Sequence, residues 1–467
     1  MIGANNEELF KRISKLVRQK QVLQNQIRKL EEKNVRLAAE IEKLKSSCHD
    51  LSTGSIKESA GEKIADTMKF NMVTLLFAEI RGFPDLIEAM DSASVMDERD
   101  EILYEFDAIA AGLKTKRIKT IGDTFMCAGG IPEKNITNPV DVVLAALEMR
   151  NFLDEFERKK RKGGECIWEL KTGIHTGPVI AGVSGKKKVS YDLKGDTVNN
   201  ASRIETMSEN GSILISVMTY ELVKEFFDCQ YYGKLPVKYK GELQTYRVTG
   251  IKPEFSEDGK GRVPNSAFRV KFGLIQFTDI QEMILDKLER ELPGYLYYHN
   301  VKHTVDVVTE VELIGWAEGC TDDEILLLKT AGLFHDTGLT VSYENHEYHG
   351  TLIAGELLPQ FNYTKEQIDR VCSIIMATRL PPKPSGLLEE IICDSDLDYL
   401  GRSDFVPVSN TLFEELKAQG KMKDINEWNR LQVKFISGHQ YFTKTARSLR
   451  EVNKQLQIER LQNLITG

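Results

Sequence analysis

The stretch Thr74–Phe83, TLLFAEIRGF, decides how this chain is read, because Glu79 interrupts an apolar run that ought to be buried. A buried, unpaired carboxylate is costly, so such a residue is neutralised, paired or given a metal ion. Asp123 is the candidate partner. It lies in RIKTIGDTFM (117–126), where a strand, a glycine and an acid read as a hairpin turn. Two acids on adjacent strands can hold a pair of divalent cations against a triphosphate, the general arrangement for in-line displacement at phosphorus.

Working outward, strands and helices alternate to about residue 250. MVTLLFAEI (72–80), RIKTI (117–121), TFMCAGG (124–130), ELKTGIHTG (169–177) and VIAGVSG (179–185) read as strands, and 139–160 and 196–209 as helices. This pattern predicts an α/β sandwich, entered through a short helix over 60–70. In YDLKGDTVNNASR (191–203), Asp196 is expected to cap a helix from which Asn199 and Arg203, four residues apart, project on one face. The polar, Gly- and Pro-bearing segment 252–266 marks a domain boundary. Beyond it 277–292, 304–318 and 322–334 have helical spacing, so the last domain is expected to be all-α.

The first fifty residues carry Leu9, Leu16, Leu23, Leu30, Leu37 and Leu44 at every seventh position. With these at d, Ile13, Lys20, Ile27, Asn34 and Ile41 fall at a, the pattern of a parallel two-stranded coiled coil whose polar a residues set register. The expected organisation is a coiled coil over 1–50, a linker over 51–69, an α/β domain over 70–252, a second linker over 253–270 and a helical domain over 271–467.

Bulk properties narrow the function. A net charge of −8 in 467 residues argues against a general nucleic-acid binder. Seven scattered cysteines without CxxC spacing fit a reducing compartment. No apolar run reaches membrane-helix length and the polar N-terminus has no signal core, so a cytoplasmic location without membrane contact is expected.

Five of the eight histidines, His299, His303, His335, His346 and His349, fall within 51 residues of the helical region. In YHNVKHTVDVV (298–308) the spacing of His299 and His303 puts both on one helix face, GLFHDTGL (332–339) presents His335 and Asp336, and ICDSDLDYLG (392–401) offers Asp396 with Asp394 nearby. Imidazoles and carboxylates together suit a borderline divalent metal such as Mn, Fe, Zn or Mg.

Several ordered segments resemble a known family: LLFAEIRGF, RIKTIGDTFM, LKTGIHTGPVIAGVSG, KKVSYDLKGDTVNNASRIE and VKYKGELQTYRV are similar to the class III adenylyl and guanylyl cyclase catalytic domain, over roughly 70–250. The resemblance implies a ferredoxin-like fold acting as a head-to-tail dimer with shared sites. Carried over, Glu79 and Asp123 would bind two Mg²⁺ or Mn²⁺ ions, and the backbone of Ile80, Gly82 and Phe83 would cradle phosphates. Lys119 and Asp192 would read adenine from the other subunit, Lys donating to N1 and Asp accepting from the amino group. Asn199 and Arg203 would serve the ribose and α-phosphate, and Lys238 the outer phosphates. ATP is then the expected substrate. The family ordinarily has Asp where this chain has Glu79, and the extra methylene moves the carboxylate by roughly 1.5 Å, so a weak, Mn²⁺-favouring cyclase is expected.

The order H…HD…D resembles the HD-domain metal-dependent phosphohydrolases over about 280–405, and YHNxxH resembles their cyclic-nucleotide phosphodiesterase branch. That resemblance implies His303, His335, Asp336 and Asp396 as metal ligands and His299 as the acid that protonates the leaving 3′-oxygen. It leaves His346, His349 and Asp394 as second-metal or phosphate contacts. HDTGL lacks the acid and second histidine that normally follow the HD pair in that branch. Together the expectation is a bifunctional homodimer that makes cyclic AMP and hydrolyses a phosphoester such as cyclic AMP. The alternatives are a degenerate cyclase domain regulating the hydrolase, and a non-catalytic signalling scaffold.

Overall fold

The computed structural model describes residues 67–82, 91–161, 168–184, 190–237, 241–257 and 259–465. The expected coiled coil over 1–50, nearly all of the 51–69 linker, Phe83 and Lys238 lie outside these residues.

Eight strands form one sheet: β1 (Thr67–Gly82), β2 (Lys116–Ile121), β3 (Thr124–Gly129), β4 (Trp168–Ser184), β5 (Ser190–Lys194), β6 (Ile213–Ser216), β7 (Phe227–Val237) and β8 (Gly241–Ile251). Their order is β2-β3-β1-β4-β6-β8-β7, with β5 paired to β4. Helices α1 (Ser92–Gly112) and α2 (Asn138–Arg161) are the crossovers of the first half. That half reads β1-α1-β2-β3-α2-β4 in the sheet order β2-β3-β1-β4, the split β-α-β-β-α-β arrangement of ferredoxin-like folds. Only β4 with β6 is parallel.

Central position explains the apolar run of β1. Leu76, Ala78 and Ile80 pack on Ile102 and Phe106 of α1 and Val142 and Val143 of α2, while Val73, Leu75 and Phe77 face Val179, Ala181 and Ala201 on the other side. A strand covered on both faces reads as continuous rather than alternating hydrophobicity. The two strands expected over 169–185 are a single one. Pro178 sits inside it opposite the irregularity between Phe70 and Val73 of β1, where a missing N–H breaks no regular ladder. Thr67–Phe70, expected to be helical, belong to β1.

Helix α3 (Asp196–Met207) lies directly on β4. A Cβ placed on Gly173 would sit 2.1 Å from the backbone nitrogen of Glu205, and one on Gly177 would sit 2.7 Å from Thr197 Oγ1. The helix begins after Gly195 at the N-cap, with Asp196 as its first helical residue rather than its cap. A short helix, α4 (Val217–Val223), follows β6.

From Ser266 onward the described residues form helices only: α5 (Ser266–Glu291), α6 (Val301–Glu318), α7 (Asp322–Phe334), α8 (His346–Leu357), α9 (Lys365–Ala377), α10 (Leu387–Asp396), α11 (Phe405–Ala418), α12 (Ile425–Gly438) and α13 (Lys444–Ile465), with short 3₁₀ turns between some of them. Polar caps start them as local chemistry dictates. Asn265 caps α5, and Thr321 with Glu324 and Thr364 with Gln367 form capping boxes on α7 and α9. Among the described residues no helix is long and apolar enough to cross a membrane.

The segment 253–270 is not an extended tether. Pro253–Phe255 form a 3₁₀ turn, Ser256 bridges Pro264, and Phe268 of α5 packs 4.9 Å from the ring of Phe226 in the core of the α/β part. Farther along α5, both Asp279 carboxylate oxygens accept from the Ile136 amide at 3.1 Å. Aromatic and polar contacts thus fasten the helices to the sheet.

Gly173→Ala is expected to cost about 3 kcal/mol of stability, because helix backbone rather than a flexible side chain occupies the space. A melting temperature unchanged within a degree in thermal unfolding of the variant would contradict the close packing.

Candidate functional site

Glu79 lies near the end of β1, opposite Thr124 of β3 and Lys171 of β4. Asp123 stands in the two-residue turn between β2 and β3, after Gly122, whose φ of +58° is the left-handed conformation that glycine adopts cheaply. The Ile80 amide donates to the Asp123 carbonyl at 2.9 Å and clasps the turn to β1. The two acids are therefore neighbours, and each holds an arginine. Arg81 Nε donates to Glu79 Oε2 at 2.8 Å, and Arg99 Nη1 of α1 pairs with Asp123 Oδ1 at 3.1 Å. In this structure both carboxylates are thus engaged by arginines, which a divalent cation bound there would have to displace.

The clasp also corrects an expectation. Ile80 spends its N–H on Asp123, and Gly82 pairs with Trp168 of β4, so this stretch is strand rather than a free phosphate-cradling turn.

Glu205, on the inner side of α3, was not singled out in the sequence. It is buried beside Glu79, with Oε1 lacking a hydrogen-bond donor. Burial first, then the hydrogen bond and charge of Glu79, push its carboxyl up to about 7, against the opposing pull of Lys171. Two residues after Arg203, it lies on another face of α3 and carries no motif of its own.

Lys119 of β2 and Asp192 of β5 come together at 3.6 Å, both partly exposed. Asn199 and Arg203 lie exposed on α3.

In the helical part, four side chains converge. His303 Nε2 is 3.1 Å from Asp396 Oδ1 and 3.3 Å from His335 Nε2. Asp336 Oδ2 lies 3.3 Å from His335 Nε2 and 3.5 Å from His303 Nε2. These separations match the edges of a coordination polyhedron with bonds of roughly 2.1 Å. His335 Nδ1 donates to the Gly332 carbonyl at 2.8 Å, which leaves Nε2 as the free lone pair. Asp336 Oδ2 is buried without a hydrogen-bond donor. Burial alone would raise the carboxyls of Asp336 and Asp396, but the adjacent imidazoles outweigh it and hold both below the usual range. The donor set and the unsatisfied oxygen fit a divalent metal.

His299 is not on a helix with His303. Asn300 caps α6, as asparagine favours, so His299 precedes the helix, although the two rings still meet at 5.9 Å. Its orientation comes from Glu415 of α11, which the sequence reading missed. One oxygen of this fully buried carboxylate accepts a hydrogen bond from His299 Nδ1 at 2.5 Å, and the other accepts from the amides of Tyr298 and His299 at 3.0 and 3.1 Å. Burial opposes charging of His299, yet the bond to Glu415 and the carboxylates of Asp336 and Asp396 raise its pKa overall. Only tertiary contact across 116 residues brings Glu415 there.

His346 reaches Asp336 Oδ1 at 3.5 Å, at the edge of the cluster. His349 instead packs against Tyr348 on the same helix. Asp394, expected near the metal, spends both oxygens on the Phe442 and Thr443 amides and the Thr443 hydroxyl, where it anchors the start of α13. A cavity of about 460 Å³ opens over His299, Asp336, His346 and Asp396, and Arg379 and Lys421 line it.

The ferredoxin-like sheet thus carries neighbouring acids at a hairpin and, on α3, an exposed Asn-x-x-x-Arg pair. Residues 65–250 match the family described as the adenylate and guanylate cyclase catalytic domain. The receptor-type guanylate cyclase gcy-8 of Caenorhabditis elegans is 36% identical over 197 residues, 41% of this chain and 17% of that protein. The solved guanylate cyclase domain of RhGC from Catenaria anguillulae, in complex with GTP, is 34% identical and covers 40% of this chain and 100% of its own, with a TM-score of 0.36. The adenylyl cyclase CyaB of P. aeruginosa is 31% identical over 39% of this chain and 95% of that one, with a TM-score of 0.36. Residues 65–250 are thus a class III adenylyl/guanylyl cyclase catalytic domain.

Glu205 sets a pH dependence. Its carboxyl ionises near 4.5 when unfolded and near 7 when folded, so between these values the folded state holds the extra proton and stability falls as pH rises. Glu205→Gln is expected to flatten that decline, with its largest gain in melting temperature above pH 7. An equal shift at pH 5 and pH 8 in parallel melts would contradict the raised value.

Proposed function

We propose that the α/β part cyclises ATP to cyclic AMP and pyrophosphate, and that the helical part hydrolyses a nucleotide phosphoester such as cyclic AMP. The first half rests on Lys119 meeting Asp192: a cationic donor beside a carboxylate acceptor matches N1 and the amino group of adenine, whereas guanine presents the opposite pattern. The relative gcy-8 is named a guanylate cyclase, which makes GTP the second reading.

In the cyclase reaction the ribose 3′-oxygen attacks the α-phosphorus, its proton passes to solvent water, and the bond to pyrophosphate breaks. Arg203 stabilises charge developing on the α-phosphate and Asn199 orients the ribose. Glu79 and Asp123 would hold the divalent cations, which would supply neutralisation of the triphosphate. The base-reading and cation-holding groups act across a homodimer, each site drawing on both copies.

The second half rests on the four-residue cluster of His303, His335, Asp336 and Asp396. A metal ion held there supplies Lewis acidity toward water and phosphate. As water bonds to the phosphorus and the P–O bond to the 3′-oxygen breaks, His299, charged against Glu415, delivers a proton to that departing oxygen, and Arg379 and Lys421 receive the phosphate.

Two experiments test this. Full-length protein with Mn²⁺ is expected to convert ATP in preference to GTP, and Glu79→Asp to raise turnover at least threefold by restoring the family's shorter reach; loss of activity in that variant, or preference for GTP, overturns the assignment. Separately, Asp396→Asn is expected to lose bound metal by elemental analysis and to abolish hydrolysis of cyclic AMP. Wild-type protein that carries no metal and leaves cyclic AMP intact would remove the hydrolase reading.

A further inference from the structure

A line of hydrogen-bonded side chains crosses the sheet beneath α3. Asn200 Nδ2 lies 3.3 Å from His175 Nε2 of β4, and His175 Nδ1 lies 2.7 Å from Ser216 Oγ. From there the line runs to Thr219 at 3.2 Å, Thr176 at 3.0 Å, Thr74 of β1 at 2.9 Å and Asn138 Oδ1 of α2 at 2.6 Å. His175, Ser216, Thr219, Thr176, Thr74 and Asn138 are all buried.

Hydrogen-bond chemistry gives the line one direction. An amide NH₂ donates, so Nε2 of His175 accepts from Asn200, and a neutral ring then carries its proton on Nδ1 and donates to Ser216. Burial pushes the His175 pKa down to about 4, which keeps the ring neutral. At the other end Thr74 donates to Asn138. Every hydroxyl between can therefore donate onward once, and no donor is left over.

The line matters because of what α3 carries. Gly173 and Gly177 set how closely the helix approaches β4, and Thr197 Oγ1 ties its first turn to the Pro178 carbonyl at 2.6 Å. No side chain caps its N-terminus. The bond from Asn200 to His175 is the polar tie of the next turn, at the residue adjoining Asn199 and three before Arg203. We propose that His175 is a positioning residue for the cyclase reaction, holding α3 through Asn200 in the rotation that aims Asn199 and Arg203 at substrate. This rests on the cyclase reading.

The test uses full-length protein, Mn²⁺ and ATP, with kcat and KM measured below the melting transition. His175→Leu is expected to lower kcat about tenfold with KM changed less than threefold, the effect of one lost positioning bond. His175→Gln, which retains a donor and an acceptor, is expected to restore most of it. Asn200→Ala, on the partly exposed helix, is expected to show the same loss, and His175→Leu with Asn200→Ala no further loss, because both remove one link. If wild type is active and His175→Leu keeps its kcat, or the double variant loses the product of the two single effects, the positioning role falls alone. If wild type makes no cyclic nucleotide from ATP or GTP, the cyclase reading falls and takes the inference with it.

Discussion

The contact between α3 and β4 is the constraint on which the cyclase part depends. Two glycines, Gly173 and Gly177, remove the side chains that would otherwise hold the helix off the strand. Because the helix lies so close, its two sides have opposite tasks. Asn199 and Arg203 remain exposed, whereas Glu205 is pressed into the interior beside Glu79. A helix seated a few ångströms higher would leave Glu205 hydrated.

Glu79 thus stands between two influences. On one side Arg81 satisfies part of its charge, and on the other stands Glu205, which burial first and the bond and charge of Glu79 next hold toward its protonated form. An aspartate at this position would end one methylene earlier. The glutamate in place stands beside its buried neighbour Glu205.

The helical part solves a different problem with the same currency. His303, His335, Asp336 and Asp396 come from three helix ends, and their mutual attraction offsets a burial that none would tolerate alone. Late helices contribute more than packing. α11 supplies Glu415 to His299, and Asp394 spends its charge on the first turn of α13, fixing α10 and so the Asp396 beside the cluster. Phe268 and Asp279 of α5 fasten this assembly to the sheet.

Sequence by itself determined the elements and many of the candidate groups. A strand buried on both faces must be continuously apolar, a glycine before an acid between short strands must turn, and a hydrophobic helix ending in His-Asp must bring both to its tip; local pattern carries these because local sterics cause them. It read less well where a tertiary contact overrides spacing. His299 was assigned to a helix that Asn300 begins one residue later, two strands proved to be one, and the backbone of Ile80 was spent on a neighbouring turn. Glu205, Glu415 and the hydrogen-bonded line through His175 had no legible signal, since a carboxylate or a threonine acquires such a role only from the partner that burial delivers. That partner is set by how the chain packs, across separations no periodicity encodes.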